Sequence, residues 1–176
     1  ILKMYRLHSV IAVQNVAGTF CRGELMKRYL DLSSYLKGKF GGKVFKVSLT
    51  AETTCPNIDG KLAQGGCTFC NDAAYSPMQK SRKAKPISLQ LHEGIEYLKK
   101  RHKTGRCIAY FQSFTSTYGD RKALLEKFRQ SLDHPEVVGF ALSTRPDCID
   151  QQWVKDLTEV GKGKFCWIEF GLQTAN

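Results

Sequence analysis

Four short β-rich runs, alternating with stretches of helical period, constrain this chain more than any other feature. Residues 43–49 (KVFKVSL), 107–114 (CIAYFQSF), 137–143 and 165–172 read as strands. Between them, 88–102 gathers Leu91, Ile95 and Leu98 on one helical face. Residues 121–133 do the same with Leu124, Leu125, Phe128 and Leu132, and 150–160 with Trp153, Val154, Leu157 and Val160. Asp150 is placed to cap the last of these helices and Gly161 to end it. An earlier helix starts near Met26, where Leu25, Tyr29, Leu32 and Leu36 keep helical spacing until Gly38, Gly41 and Gly42 break it. Strands alternating with helices in this way predict right-handed βαβ units and a parallel sheet, an α/β fold.

The faces of the strands carry a second message. In the third run Gly139, Ala141 and Ser143 share one face, and Val138, Phe140 and Leu142 the other. The fourth places Glu169, Gly171 and Gln173 opposite Ile168, Phe170 and Leu172. A doubly wound open sheet wants both faces apolar. Small or polar groups on one face and bulky ones on the other predict a curved sheet, a barrel or partial barrel with the helices outside.

Composition sets the class. The chain has 176 residues, 42% hydrophobic and 24% charged, as expected of one globular unit. No apolar run nears the roughly 18 to 20 residues of a membrane-spanning helix, so no membrane partner is expected. No small-residue cleavage site follows the interrupted apolar stretch at 7–21, so no signal peptide is expected. The chain starts at Ile1 and stops at Asn176 directly after a strand-like run. The expectation is therefore a natural start at Met26, residues 1–25 as an upstream extension, and 26–176 as the N-terminal part of a core domain cut short at its C-terminal end. Seven cysteines cannot all pair, and three of them, Cys55, Cys67 and Cys70, fall within sixteen residues. That pattern points to a thiolate site in a reducing compartment, the cytoplasm, and not to a disulfide framework.

Those three cysteines form C-x11-C-x2-C on a glycine-containing loop just past the first strand, where parallel α/β proteins place their sites. Gly60, Gly65 and Gly66 let the backbone fold round a bulky ligand and bring amide N–H groups near sulfur. Three ligands leave one coordination position open, whereas a closed structural zinc site wants four. A zinc site completed by Cys107, His92 or Cys148 is the competing reading of the same thiols, and a small electron carrier would want a fourth cysteine nearby. Cys107 and Cys166, inside strand patterns, read as small buried hydrophobes, and Cys21 and Cys148 have no partner at ligand spacing.

With its flanking segments TCPNIDG, GGCTFCN, AYFQSFTSTY, STRPDC and WIEFGLQT, the loop resembles the radical S-adenosylmethionine (SAM) superfamily, in particular its branch related to the elongator catalytic subunit. The resemblance runs from about Arg28 to Thr174, with Phe69 the aromatic before the last cysteine. The commonest superfamily spacing is C-x3-C-x2-C; the longer first gap here is a feature of this branch. The resemblance implies a partial parallel (βα)6 barrel, here about four βα units. It also implies a [4Fe-4S] cluster on Cys55, Cys67 and Cys70, whose fourth iron takes the amino and carboxylate groups of SAM. One electron from a low-potential donor then splits SAM into methionine and a 5′-deoxyadenosyl radical that abstracts hydrogen from a substrate. The superfamily's Gly-Gly-Glu-like segment after the second strand is here Gln112-Ser113-Phe114-Thr115, without an acid. By position, Gln112, Ser113, Ser143, Arg145, Glu169 and Gln173 are candidate SAM contacts. Arg145 would suit a carboxylate and Glu169 an amine or a ribose hydroxyl. The plainer alternatives are an Arg145–Asp147 turn pair and an ion-paired barrel residue at Glu169.

The 27 Lys and Arg against 16 Asp and Glu give a net +11, and nine of these cations against two glutamates lie within 80–106. Such a stretch neutralises phosphates well, so tRNA or another RNA is a candidate partner beside the site. A solvated helix face plus a basic loop is the alternative, and a non-catalytic zinc- or cluster-stabilised RNA-binding module is the rival function.

Overall fold

The computed structural model describes residues 29–68, 70 and 85–171. Within them the elements are α1 (Leu32–Phe40), β1 (Phe45–Leu49), α2 (Ile87–His102), β2 (Cys107–Phe111), α3 (Arg121–Gln130), β3 (Val137–Thr144), a 3-10 turn (Pro146–Cys148), α4 (Gln151–Val160) and β4 (Phe165–Phe170). Three helices begin on an aspartate whose carboxylate takes an orphan amide of the first turn. Asp31 accepts from Ser34, Asp120 from Ala123 and Asp150 from Trp153. Gly41, at φ 68°, ends α1 in the left-handed conformation that a glycine adopts without strain. Gly38, expected to help break this helix, lies inside it.

All four strands are parallel and pair in chain order, β1-β2-β3-β4. Helices α2, α3 and α4 pack on one face. Leu91, Ile95, Phe128, Trp153 and Leu157 meet Val47, Leu49, Phe111, Phe140 and Leu142 there, nearly all of them sealed from solvent. Sequential strand order with three crossover helices on one side is single winding, which curls a sheet towards a barrel; a doubly wound sheet reverses its order and puts helices on both faces. The second face is covered at its N-terminal half by α1, whose Leu36, Tyr35 and Phe40 pack on Ile108, Ala141 and Phe165.

The strand-face reading needs one correction. The β2–β3 register slips between Cys107 and Ile108, so Cys107 faces Val137 and Ile108 faces Gly139, which leaves Val138 as the extra residue of a bulge. Val138 therefore packs with the α1-side cluster and not with Phe140 and Leu142. The expected strands at 43–49 and 107–114 are also shorter than read. The ladder starts at Phe45, and β2 ends at Phe111, where its pairing with Leu49 and Leu142 stops. The expected start at Met26, the extension 1–25, Phe69, Gln173 and the cations at 80, 82 and 83 lie outside the described residues.

Candidate functional site

The chain leaves β1 at Leu49 and enters the cysteine loop at the C-terminal edge of the sheet. Its first residues are held from three directions. Gln90, a buried amide within the apolar face of α2, brackets Thr50, accepting from its N–H at 2.9 Å and donating to its carbonyl at 3.2 Å. Lys127 of α3 donates to the Ala51 carbonyl at 2.7 Å and reaches Glu52. The segment after β2 closes the third side, with the Thr53 hydroxyl on the Ser113 carbonyl and the Thr115 amide on the Thr54 carbonyl. A strand edge normally opens into free loop; here buried polar contacts fix the approach to Cys55.

Beyond Cys55 the loop folds on itself. The amides of Ile58 and Asp59 donate to the Cys55 carbonyl, Gly66 donates to Asn57, and Cys70 to Cys67. Gly65 and Gly66 both take positive φ, and a Cβ on Gly66 would press on Ile58 at 3.3 Å. Asn57 donates through Nδ2 to Cys67 Sγ at 3.1 Å, the kind of N–H···S contact that tunes a metal-bound thiolate. None of Cys55, Cys67 and Cys70 is in a disulfide; the first two are half-buried and the third exposed. Three soft thiol donors on one loop fit an iron–sulfur cluster or zinc. Among the described residues no three His, Cys, Asp or Glu side chains already converge as a ligating group.

The other expected contacts among the described residues fall in three places. On the concave face, Glu169 of β4 takes Lys46 Nζ at 2.5 Å on Oε1, and Tyr110 OH at 2.5 Å and Ser143 Oγ at 3.2 Å on Oε2. Burial first, then the bond to Glu169, pushes the Tyr110 phenol up to about 12, so it stays a donor. Ser143 and Glu169 are thus brought together, half-buried, and Glu169 has the ion pair of the plainer reading. Along a flat sheet the Cα atoms of Lys46 and Glu169 would stand roughly 19 Å apart, three strands across and four residues along. A lysine and a glutamate cannot bridge that gap, so the sheet is concave along this diagonal.

Arg145 stands apart from that cluster, in the turn after β3. Its Nε and Nη2 clasp the two oxygens of Asp147 at 2.8 and 2.7 Å, the bidentate turn pair. This contact holds the Asp147 carboxyl below its usual range and drives the guanidinium further up. Gln112 is half-buried at the end of β2. The Ser113 hydroxyl is buried and finds no partner among the described residues. It sits beside Phe114, whose left-handed backbone is strained for a bulky side chain.

Of the three groups that could complete a four-ligand site, one lies near the loop. Cys107 is fully buried at the far end of β2, and His92 is exposed on α2. Only Cys148 is near, since it and Pro56 line one cleft of about 340 Å³ with Tyr118 and Trp153. Its thiol is pushed up by burial and by Asp147, with Cys55 adding to the effect.

The basic stretch is placed differently from expectation. Lys85 precedes α2 and pairs with Glu93 at 2.7 Å, whereas Lys99, Lys100 and Arg101 lie in its last turn and Lys103 and Arg106 follow it. Because α2 runs antiparallel to the strands, its 16 residues carry those cations about 24 Å away, to the N-terminal edge of the sheet. There they join Lys39, Lys43, Lys162 and Lys164 at the strand starts. Of the described cations of this stretch, all but Lys85 stand at the edge away from the cysteine loop.

Sequence reading missed Gln90, Lys127, Lys46 and Tyr110. The signals were present for two. Gln90 interrupts an apolar helical face, and Lys46 shares the period-2 face of β1 that matches Ser143.

Comparison with known proteins finds relatives of undefined role. The chain is 41% identical over 150 residues to the uncharacterised protein YtqA of Bacillus subtilis, covering 85% of this chain and 46% of that one. It is 34% identical over 142 residues to protein YhcC of Escherichia coli K12, covering 80% and 44%. Against the uncharacterised protein MJ0486 of Methanocaldococcus jannaschii it is 32% identical over 157 residues, covering 88% and 46%. The chain thus spans a little under half the length of these relatives. No protein-family model matches it. No solved structure matches it either.

Proposed function

We propose that this chain is part of a radical SAM enzyme, with a [4Fe-4S] cluster on Cys55, Cys67 and Cys70. The observation that carries the reading is the anchored loop itself. Three cysteines outside any disulfide and an Asn57 N–H···S contact stand at the C-terminal edge of a singly wound, concave parallel sheet. When bound, the cluster supplies the electron that divides SAM into methionine and a 5′-deoxyadenosyl radical. Gln90, Lys127, Thr53 and Thr115 fix where the loop starts, while binding draws the three thiols together. The buried, unpaired Ser113 hydroxyl and half-buried Gln112 are donors for SAM at the end of β2. Glu169 and Ser143 serve it on the concave face, and Gln173 would extend the same row. Arg145 contributes to SAM only if it exchanges Asp147 for the SAM carboxylate. A partial (βα)6 barrel is the architecture this requires, and the Lys46–Glu169 contact supports it by demanding curvature.

The test is anaerobic reconstitution with iron and sulfide, then reduction and EPR with and without SAM. A reduced-cluster signal that changes on adding SAM is expected. Zinc in place of iron, or a signal indifferent to SAM, refutes the reading.

One observation favours the rival. Cys148 beside Cys55 could complete a four-ligand zinc site, and the basic edge suits RNA. That module predicts stoichiometric zinc, released on Cys148→Ala substitution.

A further inference from the structure

We propose that Lys46 and Tyr110 are positioning residues that preset the Glu169 carboxylate as an acceptor for a hydroxyl group of bound SAM. The inference rests on the radical SAM reading and adds to it the roles of two residues, Lys46 and Tyr110.

Four polar side chains from four strands are hydrogen-bonded together here: Lys46 from β1, Tyr110 from β2, Ser143 from β3 and Glu169 from β4. Below them the face is apolar, with Leu36, Ile108, Ala141, Phe165 and Trp167 as its floor. The cluster is open above, since the Lys46 and Glu169 side chains keep 24% and 30% of their exposure.

The donors around Glu169 decide what it can still bind. A carboxylate offers about four lone-pair sites, and three are taken, by Lys46, Tyr110 and Ser143. One remains for a ligand, and it accepts; the ligand group must donate. The ammonium of Lys46 neutralises the carboxylate, so the pair presents no net charge. A neutral hydroxyl suits such an acceptor better than a second ammonium, which Lys46 would repel.

Lys46 and Tyr110 both aim a proton at Glu169. The Lys46 ammonium lies on the Tyr110 ring, 4.0 Å from its centroid, and 5.8 Å from that of Trp167. These cation–π contacts keep it on the cluster instead of in solvent. The Tyr110 hydroxyl has one proton and gives it to Glu169. Their action on a ligand therefore passes through Glu169.

The test measures SAM affinity by equilibrium dialysis on anaerobically reconstituted protein. The set comprises wild type, Lys46→Met, Lys46→Arg, Tyr110→Phe, Glu169→Gln and the Lys46→Met/Glu169→Gln pair. Lys46→Met and Tyr110→Phe should each weaken SAM binding about tenfold, the loss expected when a charge-assisted hydrogen bond is misdirected. The double variant should bind no more weakly than Glu169→Gln alone, because the lysine acts through the glutamate. Lys46→Arg should restore most of the affinity. The EPR signal of the reduced cluster without SAM should be unchanged in all. Additive losses, or unchanged affinity in Lys46→Met and Tyr110→Phe while wild type binds SAM, overturn this inference alone. Failure of wild type to bind SAM overturns the underlying reading and the inference with it. Should Lys46→Met not fold, Tyr110→Phe, which removes one oxygen, carries the test.

Discussion

Replacing Gly139 by alanine tests the sheet that carries Glu169. At this position β4 crosses so close to β3 that an added Cβ would lie 2.0 Å from the Phe165 carbonyl oxygen and 2.6 Å from its carbon. Real Cβ atoms essentially never come within 3.0 Å of such neighbours, so the strands must part by about 1 Å. A side chain could rotate away, but a backbone carbonyl within a ladder cannot. Parting them weakens the bonds around the Gly139–Phe165 and Phe140–Cys166 pairs, about 1 kcal/mol each for two bonds. It also partly re-exposes Phe165, now 3% exposed, a side chain whose full burial is worth about 1.5–3 kcal/mol. The total, about 4 kcal/mol, is a large part of the roughly 5–15 kcal/mol that holds a domain together. Urea denaturation followed by far-UV circular dichroism reads the loss directly as a lower midpoint. Gly38→Ala is the matched control. It lies inside α1 with nothing within 4 Å of a new Cβ, and should raise stability by about 0.8 kcal/mol. A Gly139→Ala protein within 1 kcal/mol of wild type would refute the close approach and, with it, the register that sets Glu169 beside Ser143.

Further outcomes follow from the caps, the thiols and the charge. Asp120→Ala removes the 2.7 Å bond to the Ala123 amide and should cost about 1 kcal/mol in the same assay, while Asp120→Asn should cost little. Burial, aided by Glu136, pushes the Cys107 thiol up to about 12. It therefore stays neutral between pH 7 and 9, and native protein treated with iodoacetamide at pH 8 should be labelled at Cys70 and not at Cys107. Because the folded thiol resists ionising, its contribution to stability is complete below the unfolded value near 8.5 and is lost as pH climbs towards 12. Mass spectrometry finding Cys107 labelled in the native protein would contradict its burial. If RNA binds the basic edge, its affinity should fall steeply with salt and with Lys100→Glu plus Arg101→Glu, but not with Lys61→Glu at the cysteine loop. Absence of binding at low salt refutes an RNA partner.

The alternation of strands and helices was legible because each helix keeps its apolar face at 3.6-residue spacing and each starts or stops on a residue with one job, as Asp150 does for α4. What escaped reading depended on register. Val138 changed sides because a single bulge shifts the pairing of β3 against β2, and no local pattern announces a bulge between Cys107 and Ile108. Nearness in sequence puts the basic stretch beside the cysteine loop, but a helix 16 residues long carries the cations from Lys99 onwards to the other edge of the sheet. Lys46 was invisible for a related reason. Its partner is 123 residues away, and only curvature brings the two within hydrogen-bond reach.

That curvature bears on why the cluster exists. A half-buried Lys–Glu pair with a tyrosine and a serine is seldom the most stable filling for the inner face of a sheet, and well-packed apolar side chains of similar volume often do as well or better. The floor immediately below is filled that way, by Leu36, Ile108 and Phe165. The change from apolar to polar occurs within a few residues of the same strands, and it occurs on the side nearer the cysteine loop. Stability supplies no reason for a boundary at that level, whereas a polar ligand entering from the loop side does. Glu169→Leu together with Lys46→Leu should therefore be neutral or stabilising in urea while abolishing the SAM contact proposed for Glu169. A large loss of stability in that double variant would return the cluster to a purely structural role.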